Sequence, residues 1–374
     1  MHLLNNVDKI NSPGLKPRIL VAPLEWGLGH ATRCIPIINE LLLNKCEVFI
    51  AAESATYNLL KNEFPAVNFL LLKGYHIKLS KMKAFLLLKI LTQFPKIIYI
   101  IYKENRWLKK RINQYKIDAV ISDNRFGLYN TKLPCIYITH QLLIKTGDAF
   151  TEKIIQRIHY RFINKYRECW VPDFEKDNLA GELSHPFAIP KNVKYIGAFS
   201  RFNIEENTGK IYNLLIILSG PEPQRTILEK MLLNNLLSYN GKALLVRGLP
   251  GFDKTIQSEN ASVEIVNHLS GEELSNAIQQ SETVISRSGY TTIMDLIKLS
   301  KKAILMPTPG QTEQEYLGDY LMKKKIFFSV EQKKFDLNKA LVEFHKFSFA
   351  LPVFDMEQYK LVVKTFVQSL RSSK

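Results

Sequence analysis

The sequence predicts two α/β domains in tandem, each built on a doubly wound parallel sheet. Short runs of continuously apolar residues alternate with longer helical patterns, which is typical of strands buried on both faces of a parallel sheet. The chain has 374 residues, more than a single hydrophobic core usually supports. The alternation stops at the polar segment SRFNIEENTGK and then resumes, so we place the boundary between the domains there.

The strands are expected in chain order. In the first domain they are RILVAP, CEVFIAA, VNFLLLK, IDAVISD, LPCIYITH, ECWVP and VKYIGAF. In the second they are IYNLLIILSG, GKALLVRG, SVEIVNH, SETVISRSG and KKAILMPTPG. The closing segment, FDMEQYKLVVKTFVQSLRSSK, has the apolar spacing of an amphipathic helix. We divide the chain into an N-terminal extension (1–17), a first domain (18–199), a linker (200–210), a second domain (211–350) and a C-terminal helix (351–374) that packs back on the first domain.

The composition is that of a globular protein with a strongly basic character. Hydrophobic residues make up 46% of the chain, enough for substantial cores, and the net charge is +16. Most of this charge lies in the first 199 residues, so that half needs an anionic partner. The first residues show no signal-peptide pattern, and the four cysteines lack the spacing of metal ligands. We expect a cytoplasmic protein.

The first motif is PLEWGLGHATR, which follows the strand RILVAP directly. Gly27 and Gly29 stand between that strand and a helix, where ligands approach the backbone in parallel α/β sheets. A dinucleotide-binding fingerprint is excluded because its third glycine is missing. His30 opens the helix and faces the expected cleft, where a neutral imidazole accepts a proton readily.

The second constellation lies after the strand SETVIS. Ser288, Gly289 and Thr291 supply hydroxyls and backbone N–H groups at a helix N-terminus, an arrangement that suits a phosphate. Asp295, about two turns later, has two oxygens for a pair of vicinal hydroxyls. The loop TPGQTEQEY offers side chains for sugar hydroxyls: Gln311, Glu313, Gln314 and Glu315. Together these residues describe a nucleotide-sugar site.

The pattern SRSGYTTIMDLIKLSKKAILMPTPGQTEQEYLGDYL resembles the donor-binding region of the MurG-like glycosyltransferases, glycosyltransferase family 28. The similarity is strong over about 283–322 and moderate over 18–45. It implies the GT-B fold, in which two Rossmann-like doubly wound domains face each other across a cleft. It also implies an inverting hexosyltransferase that uses a UDP-sugar. No D-x-D triplet occurs in the chain, so we expect neither a metal nor another cofactor.

The resemblance gives the donor-side residues individual roles. It places the turn of Ser288 and Gly289 at the phosphates and Asp295 at the ribose, where the family has a glutamate. Gln314 matches the first of a glutamine pair that contacts the donor sugar. The second of that pair is Glu315 here, which leaves the identity of the sugar open.

Three further donor contacts follow from the same comparison. The stretch VNHLSGEEL matches the uracil-binding loop, with the backbone of His268 and Leu269 as the expected contact. The second glycine-rich loop reads LSGPEPQR, in which two prolines remove amide donors. Gly220 keeps its N–H group, and Arg225 is a candidate for the missing positive charge. An ordinary helix start with a proline near its first position is the alternative. Arg201 matches a linker arginine that reaches the cleft, although a solvated linker charge is an equal alternative.

The catalytic base is expected on the first domain. Inverting transfer needs a base for the acceptor hydroxyl and stabilisation of the departing diphosphate. We favour His30 as the base, with Asp123 either orienting it or replacing it, since both follow strands. The acceptor side is completed by residues that match the family: Gly27, Gly29, His140 and Gln141.

The segment 76–116 carries many lysines and arginines and one acid, Glu104. Its apolar stretch is too interrupted to span a bilayer. The bulky apolar residues beside these charges suit an interfacial site on anionic lipid: Phe85, Leu86, Ile90, Phe94, Ile97, Tyr99 and Trp107. The alternative is a core helix pair with a solvated basic face. The family docks to the membrane through this part, so the resemblance favours a peripheral protein of the inner face of the cytoplasmic membrane.

The function expected from all of this is transfer of a sugar, an N-acetylhexosamine, from a UDP donor to a lipid-linked or cell-envelope glycan. A nucleotide-sugar hydrolase or epimerase on the same fold is one alternative, but it would not need the basic apolar surface. A nucleic-acid-binding protein is another, prompted by the charge. It leaves the second constellation without a role, so we expect no nucleic acid partner. A non-catalytic sugar-binding relative is the last.

Overall fold

The computed structural model describes residues 16–75, 86–205 and 209–372. Its first domain contains a seven-stranded sheet in the order β3-β2-β1-β4-β5-β6-β7, in which every described pairing is parallel. The strands are β1 (Arg18–Pro23), β2 (Glu47–Ala52), β3 (Asn68–Leu71), β4 (Ala119–Asp123), β5 (Cys135–Ile138), β6 (Glu168–Val171) and β7 (Val193–Tyr195). The helices are α1 (Leu28–Leu43), α2 (Ser54–Glu63), α3 (Leu86–Tyr115) and α4 (Ala149–Ile163).

The second domain contains a six-stranded sheet in the order β10-β9-β8-β11-β12-β13, again with parallel pairings throughout the described residues. Its strands are β8 (Tyr212–Ile217), β9 (Ala243–Val246), β10 (Val263–Val266), β11 (Ser281–Ser286), β12 (Ala303–Leu305) and β13 (Phe328–Ser329). Its helices are α5 (Gln224–Leu236), α6 (Gly271–Gln279), α7 (Tyr290–Lys298), α8 (Thr312–Lys323) and α9 (Leu337–Lys346). The predicted fold class, two Rossmann-like doubly wound domains, is confirmed.

Each sheet is covered on both faces, which explains the continuous apolar runs. In β1, Ile19 and Val21 belong to the core on one face, whereas Leu20 and Ala22 belong to the core on the other. Side chains of a strand alternate between faces, so a strand buried on both must be apolar at every position. The last strand, β13, was missed because it has two residues at the edge of its sheet and no such run.

The last helix, α10 (Gln358–Ser372), follows the second domain in sequence but packs on the first. Val363, Phe366 and Val367 are buried in the core that contains the apolar side of α1. Arg371 Nη2 also donates to the carbonyl of Asn44 at the end of α1, at 2.6 Å. The domain limits given above remain a prediction, and residues 1–15, 76–85, 206–208 and 373–374 lie outside the described part of the chain.

Candidate functional site

The two sheets direct the carboxyl ends of their strands towards one cleft, and the N-terminus of α1 meets the N-terminus of α7 there. Thr291 Oγ1 donates to the carbonyl of Gly29 at 3.1 Å. A second contact joins the domains where Thr312 Oγ1 donates to the carbonyl of Lys145 at 2.6 Å. Gly27 precedes α1 with a φ of +87°, a conformation that favours glycine. The expected acceptor side and donor side therefore face each other.

His30 and Asp123 form a hydrogen-bonded pair on the first-domain wall. His30 lies in the first turn of α1, Asp123 ends β4, and His30 Nδ1 lies 3.0 Å from Asp123 Oδ1. Nδ1 also lies 3.0 Å from Arg33 Nη2, so it faces an acceptor and a donor. When Nδ1 carries the proton and donates to the ionised Asp123, Nε2 keeps its lone pair. The side chain of His30 is 17% exposed, whereas that of Asp123 is fully buried. This arrangement leaves one ring nitrogen of His30 able to accept a proton.

Arg33 keeps Asp123 ionised. Its Nε donates to Asp123 Oδ2 at 2.9 Å, and its Nη2 donates to Asp123 Oδ1. Burial raises the pKa of Asp123, but the charges and hydrogen bonds of Arg33 and His30 outweigh it and hold that pKa below its ordinary value. The sequence analysis missed Arg33. Its position one helical turn after His30, on the same face, is the signal that could have found it.

His140 differs from its predicted role as an acceptor contact. Arg33 Nη1 donates to His140 Nδ1 at 3.0 Å, and His140 Nε2 donates to Glu313 Oε1 at 2.8 Å across the domain boundary. Its ring stacks on that of Tyr290, with centroids 4.3 Å apart. Gln141 hydrogen-bonds to the same glutamate. In this conformation neither ring nitrogen of His140 is available to an acceptor.

The residues predicted to hold the uridine lie together on the second-domain wall. Asp295 is buried in α7 and accepts a hydrogen bond from Ser200 Oγ. Burial raises its pKa to about 6, against the opposing effects of Arg201 and Ser200. Burial and the nearby Arg201 charge both lower the pKa of His268. Arg201 Nη1 also lies 3.4 Å from the point where a side chain on Gly271 would begin. The linker arginine thus reaches both Asp295 and the predicted uracil loop.

In the turn predicted to contact phosphate, one residue is bonded within the protein and the other is open. Ser288 is fully buried, and its Oγ donates to the carbonyl of Gln314 at 2.8 Å. Gly289 is open, since no described atom lies within 4 Å of the place where its Cβ would be. Leu269, by contrast, is half-buried against the core of the second domain. The backbone at Gly289, rather than the Ser288 hydroxyl, is therefore the accessible part of the turn.

The loop before α8 is braced by its own side chains. Gln314 Oε1 accepts from the backbone N–H of Thr308 at 2.9 Å, and Glu315 Oε1 accepts from that of Gly310 at 2.9 Å. Gln311 caps the N-terminus of α8 with an extended backbone. These contacts hold the predicted sugar-binding loop in one shape. Each contact uses one oxygen of its side chain, Oε1 of Gln314 and Oε1 of Glu315.

Arg225 differs from its predicted role as the cation of the phosphate loop. Its Nε donates to Glu222 Oε1 at 2.6 Å, and its Nη1 donates to Glu229 Oε2 at 3.2 Å. Two carboxylates therefore compensate its charge already. Gly220, in the same loop, has a φ of +103°, which a residue with a side chain rarely adopts.

Arg287 is a buried cation that the sequence analysis missed. Its Nη1 donates to the carbonyls of Met306 and Pro307 at 3.2 Å and to Gln332 Oε1 at 2.8 Å, and its Nη2 donates to the carbonyl of Gln224 at 3.2 Å. Within the described part of the chain, none of these partners is a carboxylate. Burial lowers its pKa to about 10, so it stays charged at neutral pH. A charged residue directly before the phosphate turn was the available signal.

Known proteins resemble the chain in both sequence and structure. Residues 253–349 match the profile of the glycosyltransferase family 28 C-terminal domain. An uncharacterized glycosyltransferase of Methanosarcina acetivorans is 23% identical over 322 residues, which cover 80% of this chain and 81% of that protein. The matched part of the second domain is of the glycosyltransferase family 28 C-terminal type, and the chain is a glycosyltransferase.

Solved structures agree with this glycosyltransferase in fold. The kitacinnamycin glycotransferase superposes with a TM-score of 0.60 and 12% identity over 96% of this chain and 94% of that one. The calicheamicin glycosyltransferase superposes with a TM-score of 0.58 and 10% identity, over 96% of this chain and 95% of that one. MurG of Acinetobacter baumannii superposes with a TM-score of 0.53 and 12% identity, over 96% of this chain and 98% of that one. The predicted GT-B fold and the resemblance to MurG-like enzymes are confirmed.

The helix α3 of the glycosyltransferase presents a basic and aromatic face. Tyr99, Tyr102, Lys103 and Arg106 are exposed at helical spacing along it. Of the apolar residues predicted to touch lipid, Ile97 and Trp107 are partly buried against the cores of the first domain. Phe85 and the side chains of Leu86, Ile90 and Phe94 lie outside the described part of the chain. None of the described helices combines the length and apolar character that crossing a membrane requires.

Proposed function

We propose that the glycosyltransferase moves an N-acetylhexosamine from a UDP-sugar to a lipid-linked or cell-envelope glycan, with inversion and without a metal ion. The observation that carries this proposal is the 3.0 Å contact between His30 Nδ1 and Asp123 Oδ1. It supplies a base on one wall of a cleft whose other wall holds a family 28 C-terminal domain. A base opposite the donor is what an inverting displacement needs.

The proposed reaction is a single displacement. The acceptor hydroxyl oxygen forms a bond to the anomeric carbon while the bond from that carbon to the diphosphate oxygen breaks. The electron pair of the broken bond leaves with UDP, and His30 Nε2 takes the hydroxyl proton. Asp123 accepts from Nδ1–H throughout and stabilises the imidazolium that forms. Arg33 holds Asp123 ionised, so Asp123 can accept from His30 at neutral pH.

The departing diphosphate needs positive potential, which the second domain supplies. The N-terminus of α7 at Gly289 points backbone N–H groups at the predicted phosphate position, and helix N-termini favour anions. Arg287 adds a buried positive charge beneath the same turn and ties it to the loops at Met306 and Gln224. In low-dielectric surroundings such a fixed charge acts strongly on a developing anion.

The proposed test is a calorimetric titration with UDP-, GDP- and TDP-sugars in buffer without added metal, followed by NMR of the product's anomeric proton. We expect the UDP-sugar to bind in preference and the anomeric configuration to invert. Preference for another nucleotide would contradict the uracil assignment. Retention of configuration would contradict the single displacement.

Asp295 makes the donor affinity dependent on pH. We expect Asp295→Ala to weaken UDP-GlcNAc binding about tenfold or more at pH 8, because hydrogen bonds to a charged group are lost. The pKa of Asp295 is about 6, and only the ionised form accepts two hydroxyls. The Kd of the unaltered protein should therefore rise as the pH falls below about 6.

The same calorimetry on variants checks this dependence. UDP-GlcNAc has no group that titrates near pH 6, so the ligand does not contribute to the change. Asp295→Ala should show a flat Kd across the range. Asp319→Ala, an exposed acid on α8, should keep both the affinity and the pH dependence of the unaltered protein. Equal pH dependence in all three would remove Asp295 from the donor site.

For the acceptor side, we propose that the exposed face of α3 docks on the anionic inner face of the cytoplasmic membrane. Each basic residue near such a surface contributes about 1 kcal/mol. We expect Lys103→Glu with Arg106→Glu to lower the partition onto vesicles containing phosphatidylglycerol at least tenfold in a sedimentation assay. A matched pair of exposed lysines on the second domain, Lys230→Glu with Lys339→Glu, should change it less. An equal loss of vesicle binding in both double variants would mean that net charge, and not the exposed face of α3, determines the binding.

A further inference from the structure

A chain of hydrogen bonds crosses the cleft and connects the donor-binding helix α8 to the catalytic pair. Glu313, in the first turn of α8, accepts from His140 Nε2 at 2.8 Å. His140 Nδ1 accepts from Arg33 Nη1 at 3.0 Å, and Arg33 holds both oxygens of Asp123. Asp123 in turn holds His30. The chain therefore begins beside Gln314, the predicted sugar contact, and ends at the base.

The directions of the two hydrogen bonds at His140 are fixed. A guanidinium donates and never accepts, so His140 Nδ1 must carry a lone pair and the ring proton must sit on Nε2. That proton points to Glu313, which accepts as a carboxylate. Burial lowers the pKa of His140, although Glu313 opposes this, and the ring stays neutral. His140 can then neither take a proton from an acceptor nor reverse its bonds without breaking the chain.

The middle of the chain has little freedom to move. Arg33 and His140 are 3% and 4% exposed, and the ring of His140 lies parallel to that of Tyr290, with 4° between the planes. Tyr290 Oη donates to the carbonyl of Pro172 at 2.8 Å, so this stacking partner is itself tied to the first domain. Arg33 is bonded to Asp123 on one side and, through His140, to Glu313 on the other. A displacement of α8 is therefore felt at the guanidinium that orients Asp123.

We infer that Arg33 and His140 are positioning residues that couple the seating of α8 against the first domain, through Glu313, to the alignment of the His30–Asp123 pair. This inference rests on the proposed function, in which that pair is the base. It means that the base is fully aligned only when the donor-binding domain is closed on the acceptor-binding domain. Closure would then protect the donor from reaction before both domains meet.

The test compares two neighbouring residues of α8 that both contact the first domain. Glu313→Ala interrupts the series of hydrogen bonds between α8 and His30. Thr312→Ala removes an ordinary contact between the domains, the 2.6 Å bond to the carbonyl of Lys145. We expect Glu313→Ala to lower kcat about tenfold with the Kd for UDP-GlcNAc unchanged by calorimetry. Thr312→Ala should leave kcat nearly intact. Glu313→Gln keeps an acceptor for His140 Nε2–H and should recover most of the rate.

Three results would overturn the inference: equal effects of Glu313→Ala and Thr312→Ala, a change in donor Kd without a change in kcat, or no recovery in Glu313→Gln. A readout without turnover is ¹⁵N NMR of the imidazoles. We expect His140 as the Nε2–H tautomer and a shift of the His30 signals in Glu313→Ala but not in Thr312→Ala. If the unaltered protein transfers no sugar, the proposed function fails, and the NMR comparison still decides whether α8 is coupled to His30.

Discussion

Replacing His30 with alanine is expected to lower kcat by about 10²–10⁴-fold, the range that a positioned general base contributes. The donor site lies on the other domain, so the Kd for UDP-GlcNAc should stay within about twofold, well under the tenfold that 1.4 kcal/mol represents. The measurement is steady-state transfer to an isolated acceptor, paired with calorimetry of the donor.

The control for this variant is His345→Ala, which changes an exposed histidine of α9. It should leave both kcat and Kd unaltered. Full turnover in His30→Ala would remove His30 as the base. A parallel loss of donor affinity would mean that the imidazole contacts the donor rather than the acceptor hydroxyl.

Asp123→Ala is expected to affect stability as well as activity. Arg33 is buried and donates to both oxygens of Asp123, so truncation leaves a buried guanidinium without its carboxylate. Breaking a buried ion pair in this way costs about 3–5 kcal/mol of unfolding free energy. Urea denaturation measures it, and transfer should fall together with that of His30→Ala because the imidazole loses the group that orients it.

Two further variants separate the roles of Asp123. Asp123→Asn keeps the shape, so it should preserve more stability than alanine while still impairing transfer, since the amide no longer fixes the tautomer of His30. Asp118→Ala, directly before the same strand, removes the acceptor of the Arg18 backbone N–H at 2.8 Å and should cost less than Asp123→Ala, because no buried guanidinium loses its carboxylate. An equal loss of stability in Asp118→Ala and Asp123→Ala would contradict the ion-pair argument.

Most of the fold could be predicted because strands buried on both faces of a sheet produce recognisable apolar runs in the sequence. A strand such as RILVAP has to be apolar at every position, and all the predicted runs contain a strand. The pair of His30 and Asp123 followed from the same logic, since parallel strands bring their carboxyl ends to one edge. The limit of this reasoning is visible at β13, which is too short to produce a run.

The rest of the site depends on contacts that no local pattern encodes. His140 and Glu313 are 173 positions apart, and only the closed arrangement of two domains brings them together. The phosphate role predicted for Arg225 does not take into account the acidic residues close to it in sequence. Glu222 and Glu229 lie three positions before and four after it, where helical spacing already predicts ion pairs. Arg287 was overlooked because its partners are distant in sequence: the backbone carbonyls of Met306, Pro307 and Gln224 and the side chain of Gln332.

The return of α10 to the first domain has a consequence for how the cleft opens. The polypeptide passes between the domains twice, once between β7 and β8 and once between α9 and α10, so two connections join the domains. We expect the cleft to open by rotation about the line through these two connections, because that motion stretches neither of them. Because α10 packs on α1, the helix that carries His30 is fixed to the end of the polypeptide that returns from the donor-binding domain, so we expect opening of the cleft to separate His30 from that domain without disturbing its own surroundings.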